Sequence, residues 1–510
     1  MTAMQKRARL ADLPEDRGTL VELDGEKILL VRSGEHVQGL QATCPHAGAP
    51  LEQGAVCQGR LVCPWHKAVF RLSDGALLEP PALDALDRYL VEVTPHGDVL
   101  VSAERTGYEH PAPDSDRRQI VIIGAGAAGT AAALALRERG FGGQVVLIGE
   151  EPGAPYDRTS LSKFVLAGQM PPEEVPPIKP AEDLAGRRIH RVTGRVETLD
   201  VAGHRVVMAD GSALAYDIAL VATGGKPRRL DIPGADLPGV HVLRSRADAA
   251  AILAGLRPDA QVVILGASFI GLEAASALRA QNLQVRVVAP EEAPFERQFG
   301  RQIGGMFRDL HEQNGVVFHL PAQAARLEGE GRVQRVVLQD GTVLPADLVL
   351  AGVGVRPATG FLRGLKLAEG GGIRVDAGMR AAERLYAAGD VARFPLGETE
   401  LRIEHWRVAQ QQGRIAAHNM LGGQDRAEFV PYFWTYHYGN RFDYLGHPAS
   451  WDEAVIEGDL HAQHFVALLV QRGWVVGAVG CQRERATALL AERLRQKLSR
   501  DEALRLIRAL

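Results

Sequence analysis

The chain has 510 residues, 46% hydrophobic and 24% charged, an ordinary globular composition too long for one core, so three or four domains are expected. Lys plus Arg (58) nearly balance Asp plus Glu (62), a formal net charge of −4, so no broad basic surface is offered to nucleic acid or anionic lipid and neither partner is expected. Four cysteines exclude a disulfide framework, and no apolar run reaches the length of a membrane span, which sets the expectation of a cytoplasmic protein without membrane association.

Residues 1–105 carry short alternating segments such as KILLVRSG and RYLVEVTPHGDVLVSA between Gly, Asp and Pro turns, the pattern of a small all-β domain. Inside it stand Cys44-x-His46 and Cys63-x-x-His66. Two mixed pairs of thiolate and imidazole suit a metal centre whose halves want different ligands, as a [2Fe-2S] cluster does. Zinc accepts the same four ligands, but its usual fingers keep cysteines together and histidines together. Cys57 reads as a buried free thiol and Cys481, after an apolar strand, as structural. Residues 106–117 are polar and read as a linker.

From residue 118 strands alternate with Ala-rich helices, a βαβ texture that occurs twice. IVIIGAGAAG places four branched apolar residues before Gly124, Gly126 and Gly129, and a helical segment follows. That is the dinucleotide fingerprint in its required context, a strand, a tight turn and a helix N-terminus that favours anions. The next strand, QVVLIGEE, brings Glu150 to the place where a carboxylate takes ribose hydroxyls. The second copy, VVILGASFIG, has Gly266 and Gly271 with Ser268 between them, and Glu291 and Glu292 follow its second strand. With no arginine pair apparent there for a 2′-phosphate, NADH is expected over NADPH. Residues 118–235 with 345–425 form the first nucleotide-binding domain and 236–344 the second. Residues 426–510 read as an α+β domain ending in an amphipathic helix pair.

The Cys/His pairs, each cysteine followed by Pro, resemble the Rieske ferredoxin motif, in which two cysteines hold one iron and two histidines the other. Ala49 and Trp65 occupy the positions where respiratory Rieske proteins carry a bridging disulfide, so the resemblance is to the soluble ferredoxins that serve oxygenases. VATGG, VGVRP and LYAAGD, with Thr223, Gly224, Gly389 and Asp390, resemble segments of the two-dinucleotide flavoprotein reductases, which implies FAD at the first glycine turn and NADH at the second. There Asp390 is expected to open a helix near the flavin ribityl chain. PYDRTSLSK resembles the PYxRPPLSK segment of oxygenase-coupled ferredoxin reductases and apoptosis-inducing-factor flavoproteins, which implies that Arg158 and Lys163 contact FAD, although Thr159 and Ser160 replace two prolines. Glu404, His405 and Trp434 match places where such proteins bring side chains near flavin and nicotinamide.

Together these features resemble apoptosis-inducing-factor-like proteins with an N-terminal Rieske domain. The resemblance implies a multidomain fold with an all-β Rieske domain, two Rossmann-like domains and a C-terminal α+β domain. It also implies an NAD(P)H-dependent reductase whose electrons reach an external oxygenase, cytochrome P450, other carrier or small oxidant, in a monomer or homodimer. An NADH oxidase or small-molecule reductase, and an NADH-responsive signalling protein, are the other functions the resemblance allows. No Cys-x-x-Cys accompanies the glycine turns, which disfavours a disulfide-reductase mechanism.

Overall fold

A computed structural model describes residues 4–510. Its N-terminal part is a six-stranded antiparallel sheet in the spatial order Gln5–Arg9, Asp98–Thr106, Arg88–Val93, His36–Gln41, Glu26–Ser33, Gly18–Leu23. The run ILLV in Glu26–Ser33 is apolar at every position because both faces are covered. Ile28 and Leu30 pack with Val99 and Val101, while Leu29 and Val31 pack with Leu40, Cys44, Cys63 and Phe70. A second, four-stranded sheet runs Ala55–Cys57, Arg60–Val62, Val69–Arg71, Leu77–Glu79. The two Cys/His loops lie just before its first strand and between its second and third. Cys57 is only half-buried, because it closes the first of these short strands at a turn; the expectation of a buried thiol is corrected.

The first Rossmann-like sheet has the order Ile189–Thr193, Gln144–Gly149, Gln119–Ile123, Ile218–Val221, Leu385–Ala387, all parallel, with Arg380–Ala382 antiparallel at its edge. The second is the five-stranded parallel array Val240–His241, Leu348–Ala351, Gln261–Leu265, Gln284–Val288, Val317–His319. The central strands Gln119–Ile123 and Gln261–Leu265 are branched apolar residues after their first position, as burial on two faces requires. Asp390 does not open a helix. It sits in a turn that leads into the strand Ala392–Leu396, and the next helix is Trp406–Met420.

The C-terminal part is a five-stranded antiparallel sheet, ordered Tyr432–His437, Asn440–Gly446, Trp474–Cys481, His464–Gln471, Glu453–Asp459, followed by the helices Glu484–Arg493 and Arg500–Arg508. The helix Glu484–Arg493 supports the four-stranded N-terminal sheet, with Ala488 packed among Ala55, Val62 and Val69. No helix among the described residues is long and apolar enough to cross a membrane.

Candidate functional site

Each Cys/His loop closes on its own cysteine: the Cys44 amide donates to Ala49 O at 2.9 Å and the Cys63 amide to Ala68 O at 2.8 Å. This brings His46 Nδ1 to 3.0 Å from His66 Nδ1 and places the two buried thiols in hydrogen-bond contact. That contact and burial raise the Cys44 thiol. Burial opposes a thiolate at Cys63 too, yet the bond from Cys44, the His66 and Trp65 amides and Lys67 bring it down to about 7. Burial lowers both imidazoles, which are therefore neutral at pH 7, the form that ligates metal. Among the described residues no three Cys, His, Asp or Glu side chains converge on a single ion. The thiols pair with each other and the imidazoles with each other, a donor set that fits two irons with two protein ligands each and argues against one zinc ion.

A cavity of about 1620 Å³ opens over the first glycine turn. Gly124, Gly126, Glu150, Arg158, Lys163, Thr223, Gly224, Gly389, Asp390 and Glu404 all line it. A Cβ on Gly126 would meet nothing, so this backbone faces open space where a pyrophosphate can approach, at the N-terminus of the helix Ala127–Glu138. Gly129 does not line the cavity. It lets the helix approach the strand, and a Cβ there would stand 1.9 Å from Gly124 O. Gly129→Ala is accordingly expected to yield protein that purifies without flavin absorbance; a normal flavin spectrum would contradict this reading of the turn.

Thr223 is fixed by its Oγ1 donating to Ala358 O at 2.7 Å. Arg158 donates to Arg244 O at 2.7 Å and pairs with Glu151 at 3.1 Å, while Arg244 reaches Asp390 at 3.0 Å. The loop with Thr159 and Ser160 in place of prolines is formed by hydrogen bonds: Asp157 Oδ1 accepts from the Thr159 amide at 2.9 Å, and Asp157 O from the Ser160 amide at 3.3 Å. It leads into a single π-turn, Leu161–Val165. The polar walls and the open glycine backbone fit a dinucleotide.

Lys163 on that π-turn pairs with Glu273 at 3.1 Å, and both are almost fully buried. Glu273 belongs to the helix Phe269–Ala280 that follows the second glycine turn, so the pair joins the two nucleotide domains on the cavity wall. Glu273 was not singled out from sequence; the only signal is an acid within the apolar stretch FIGLEAASAL. Gly266 and Gly271 repeat the geometry of the first turn, with a Cβ on Gly271 meeting Gly266 O at 2.1 Å, and Ser268 stands extended at the start of the helix, its side chain making no capping bond among the described residues. Glu291 pairs with Arg297 at 3.5 Å and Glu292 with Arg301 at 2.8 Å. Both arginines come from the helical segment starting at Glu296 and are held by these carboxylates.

His405 and Trp434 do not line the cavity. His405 is buried behind Phe433, its ring 4.9 Å away, and burial drives its pKa to about 3. Its Nδ1 has no hydrogen-bond partner among the described residues. Glu404 alone of that pair faces the cavity, its carboxyl raised by burial although Arg402 lies 2.5 Å away. Trp434 instead bridges two regions. Its ring packs 4.5 Å from the His66 ring on one side, and Lys163 Nζ lies 5.7 Å from the Trp434 centroid on another.

The loop that carries Cys63 and His66 is clamped by the helix Trp406–Met420 and the C-terminal part of the chain. Lys67, fully buried, pairs with Asp443 at 2.7 Å, which also accepts from Thr487 at 2.7 Å and Arg441 at 3.1 Å. The Tyr432 hydroxyl lies 2.8 Å from both Trp65 O and Asp443 Oδ1. Arg407 donates to Lys67 O at 2.8 Å and Pro80 O at 2.7 Å and pairs with Glu79 at 2.7 Å.

Comparison with known proteins agrees with this geometry. The profile of the pyridine nucleotide-disulphide oxidoreductases matches residues 118–413, that of the Rieske [2Fe-2S] domain residues 3–90, and that of the reductase C-terminal domain residues 432–506. Apoptosis-inducing factor 3 of Mus musculus is 35% identical over 94% of this chain and 82% of its own length. The ferredoxin–NAD(+) reductase component of the biphenyl dioxygenase system of Paraburkholderia xenovorans is 39% identical over 69% of this chain and 86% of its own. Among solved structures, the ferredoxin reductase for the CYP199A2 system of Rhodopseudomonas palustris superposes with a TM-score of 0.71 at 30% identity, covering 76% of this chain and 97% of that one. The chain belongs to the pyridine nucleotide-disulphide oxidoreductase family, as an NAD(H)- and FAD-dependent reductase of the ferredoxin-reductase and apoptosis-inducing-factor type that carries a fused N-terminal Rieske [2Fe-2S] domain.

Proposed function

We propose that this protein passes electrons from NADH through FAD to its own Rieske cluster and on to an external one-electron acceptor in the cytoplasm. The observation that carries the reading is the Trp434 ring set between the cluster ligand His66 and Lys163 of the cofactor cavity. FAD, when bound, supplies the conversion of a two-electron hydride into single electrons. The chain's own residues do the rest. Gly124, Gly126, Arg158, Thr223, Gly224 and Asp390 position the flavin nucleotide, with Glu150 at its ribose. Gly266, Ser268, Gly271 and Glu291 take NADH, and Lys163 with Glu273 closes the wall between the two. Cys44, His46, Cys63 and His66 hold the cluster. Glu404 sets the charge of the cavity wall, and His405 acts only by supporting Phe433.

The clamp on the Cys63–Lys67 loop keeps the acceptor seated on the donor, so no docking equilibrium precedes the internal transfer. Ala47 and Gly48 on the other ligand loop are exposed, and an external acceptor would approach there. The similar reductases serve dioxygenase and cytochrome P450 systems, which favours an iron–sulfur or oxygenase protein as the external acceptor. His66→Cys tests the reading. It should abolish the Rieske-type EPR signal while NADH still bleaches the flavin; joint loss of both would defeat a modular relay.

A further inference from the structure

Behind the Lys163–Glu273 pair, hydrogen-bonding side chains run without a break away from the cavity. Glu273 Oε2 is 3.1 Å from Lys163 Nζ, and Glu273 Oε1 accepts from Thr435 Oγ1 at 2.8 Å. Thr435 Oγ1 is 2.9 Å from His437 Nε2, and His437 Nδ1 is 3.3 Å from His311 Nε2. His311 Nδ1 is 3.0 Å from the hydroxyl of Tyr438, which is part-exposed. Glu273, Thr435, His437 and His311 are all buried. The ring nitrogens of both adjacent histidines lie in this one line, and the His437 ring also meets the Leu272 backbone. Phe295, Phe307 and Phe442 ring His437 at 5.3–6.1 Å, and Phe318 lies 6.0 Å from His311, a sheath that excludes water from the line.

We propose that Glu273, Thr435, His437, His311 and Tyr438 form a proton conduit from the cofactor cavity to the surface. This rests on the proposed electron path, and the stoichiometry of that path creates the need. In NADH oxidation a C–H bond breaks, and its proton leaves with both electrons as a hydride. When the electrons then depart singly the balance is NADH + 2 acceptor(oxidised) → NAD⁺ + H⁺ + 2 acceptor(reduced). One proton per NADH is left in the cofactor cavity. A neutral imidazole accepts a proton on one nitrogen and releases another from the opposite nitrogen, and a hydroxyl does the same on one oxygen, so each link passes the proton on and is left as the other tautomer or hydroxyl rotamer, which turns back before the next proton. Burial keeps both imidazoles neutral at rest, His437 with a pKa of about 3.

The test follows a single turnover of the flavin-loaded full chain, rapidly mixed anaerobically with less than one equivalent of NADH and an excess of ferricyanide in weakly buffered solution containing a pH dye. The wild-type protein should release one proton per NADH in step with NADH oxidation. Thr435→Val, nearly isosteric, interrupts the line, and proton appearance should lag by about tenfold or more, with a larger solvent deuterium isotope effect. Thr435→Ser should restore both. The flavin midpoint potential, which does not depend on turnover, should be the same in all three. Tyr438→Phe removes only the outer hydroxyl and should show the same lag; it decides the matter alone if Thr435→Val does not fold. Proton release that keeps pace with NADH oxidation in the interrupted variants overturns the conduit. Because ferricyanide takes electrons without needing the cluster, failure of the path to the cluster shows separately, as a missing cluster EPR signal in wild-type protein.

Discussion

Asp443→Asn is expected to lower the stability of the docked protein by about 3–5 kcal/mol, because it leaves the Lys67 ammonium buried without its counter-charge. Lys67 is fully enclosed and its ammonium is held below the usual lysine range by burial, so water cannot replace the carboxylate. Burial works against the Asp443 carboxylate as well, but Lys67, Arg441 and Thr487 together hold it below the usual carboxylate range. A carboxyl depressed in the folded state stabilises above its unfolded pKa and loses that contribution as pH falls through the folded one. The clamp should therefore persist across neutral and mildly acidic pH and fail only below about pH 4. The double change Lys67→Met with Asp443→Leu removes both charges and should recover much of the loss. Denaturant unfolding, with amide exchange of the segment Cys63–Lys67, measures it; an Asp443→Asn protein as stable and as protected as wild type would show that the clamp does not hold the domain.

Trp434→Ala should separate two processes that the wild-type chain performs together. NADH should still bleach the flavin, because Trp434 does not line the cofactor cavity, while electrons should reach the cluster later, because the ring between His66 and Lys163 is gone. The substitution should also cost about 3–5 kcal/mol of stability, as truncation of a buried aromatic does. Trp434→Phe keeps an aromatic ring in place and should be affected less in both respects. Rapid-mixing absorbance followed by freeze-quench EPR separates flavin from cluster. Cluster reduction in Trp434→Ala at the wild-type rate would remove the ring from the path.

The parts legible in the sequence are those whose chemistry lies in short local spacing. Cys44-x-His46 and Cys63-x-x-His66 announced a centre with mixed ligands, and the two glycine turns announced two nucleotide sites, because a turn that must pass close to phosphate tolerates few residues. What escaped depends on contacts between remote segments. Lys67 meets Asp443 across 376 positions and Lys163 meets Glu273 across 110, so neither ion pair has a local signature. Asp390 misled for the opposite reason: its local motif is intact, but the chain after it continues as a strand. For Trp434 and His405 the resemblance supplies only a neighbourhood, and their actual contacts, the Trp434 ring with His66 and the His405 ring with Phe433, join segments far apart in the chain.

An anaerobic titration of the flavin- and cluster-loaded protein with NADH, followed by absorbance and EPR on the same samples, tests the electron path most directly. The expected result is a reduced Rieske signal that grows as the flavin absorbance bleaches, with no other protein present. Full bleaching of the flavin beside a cluster that stays oxidised and EPR-silent would contradict it.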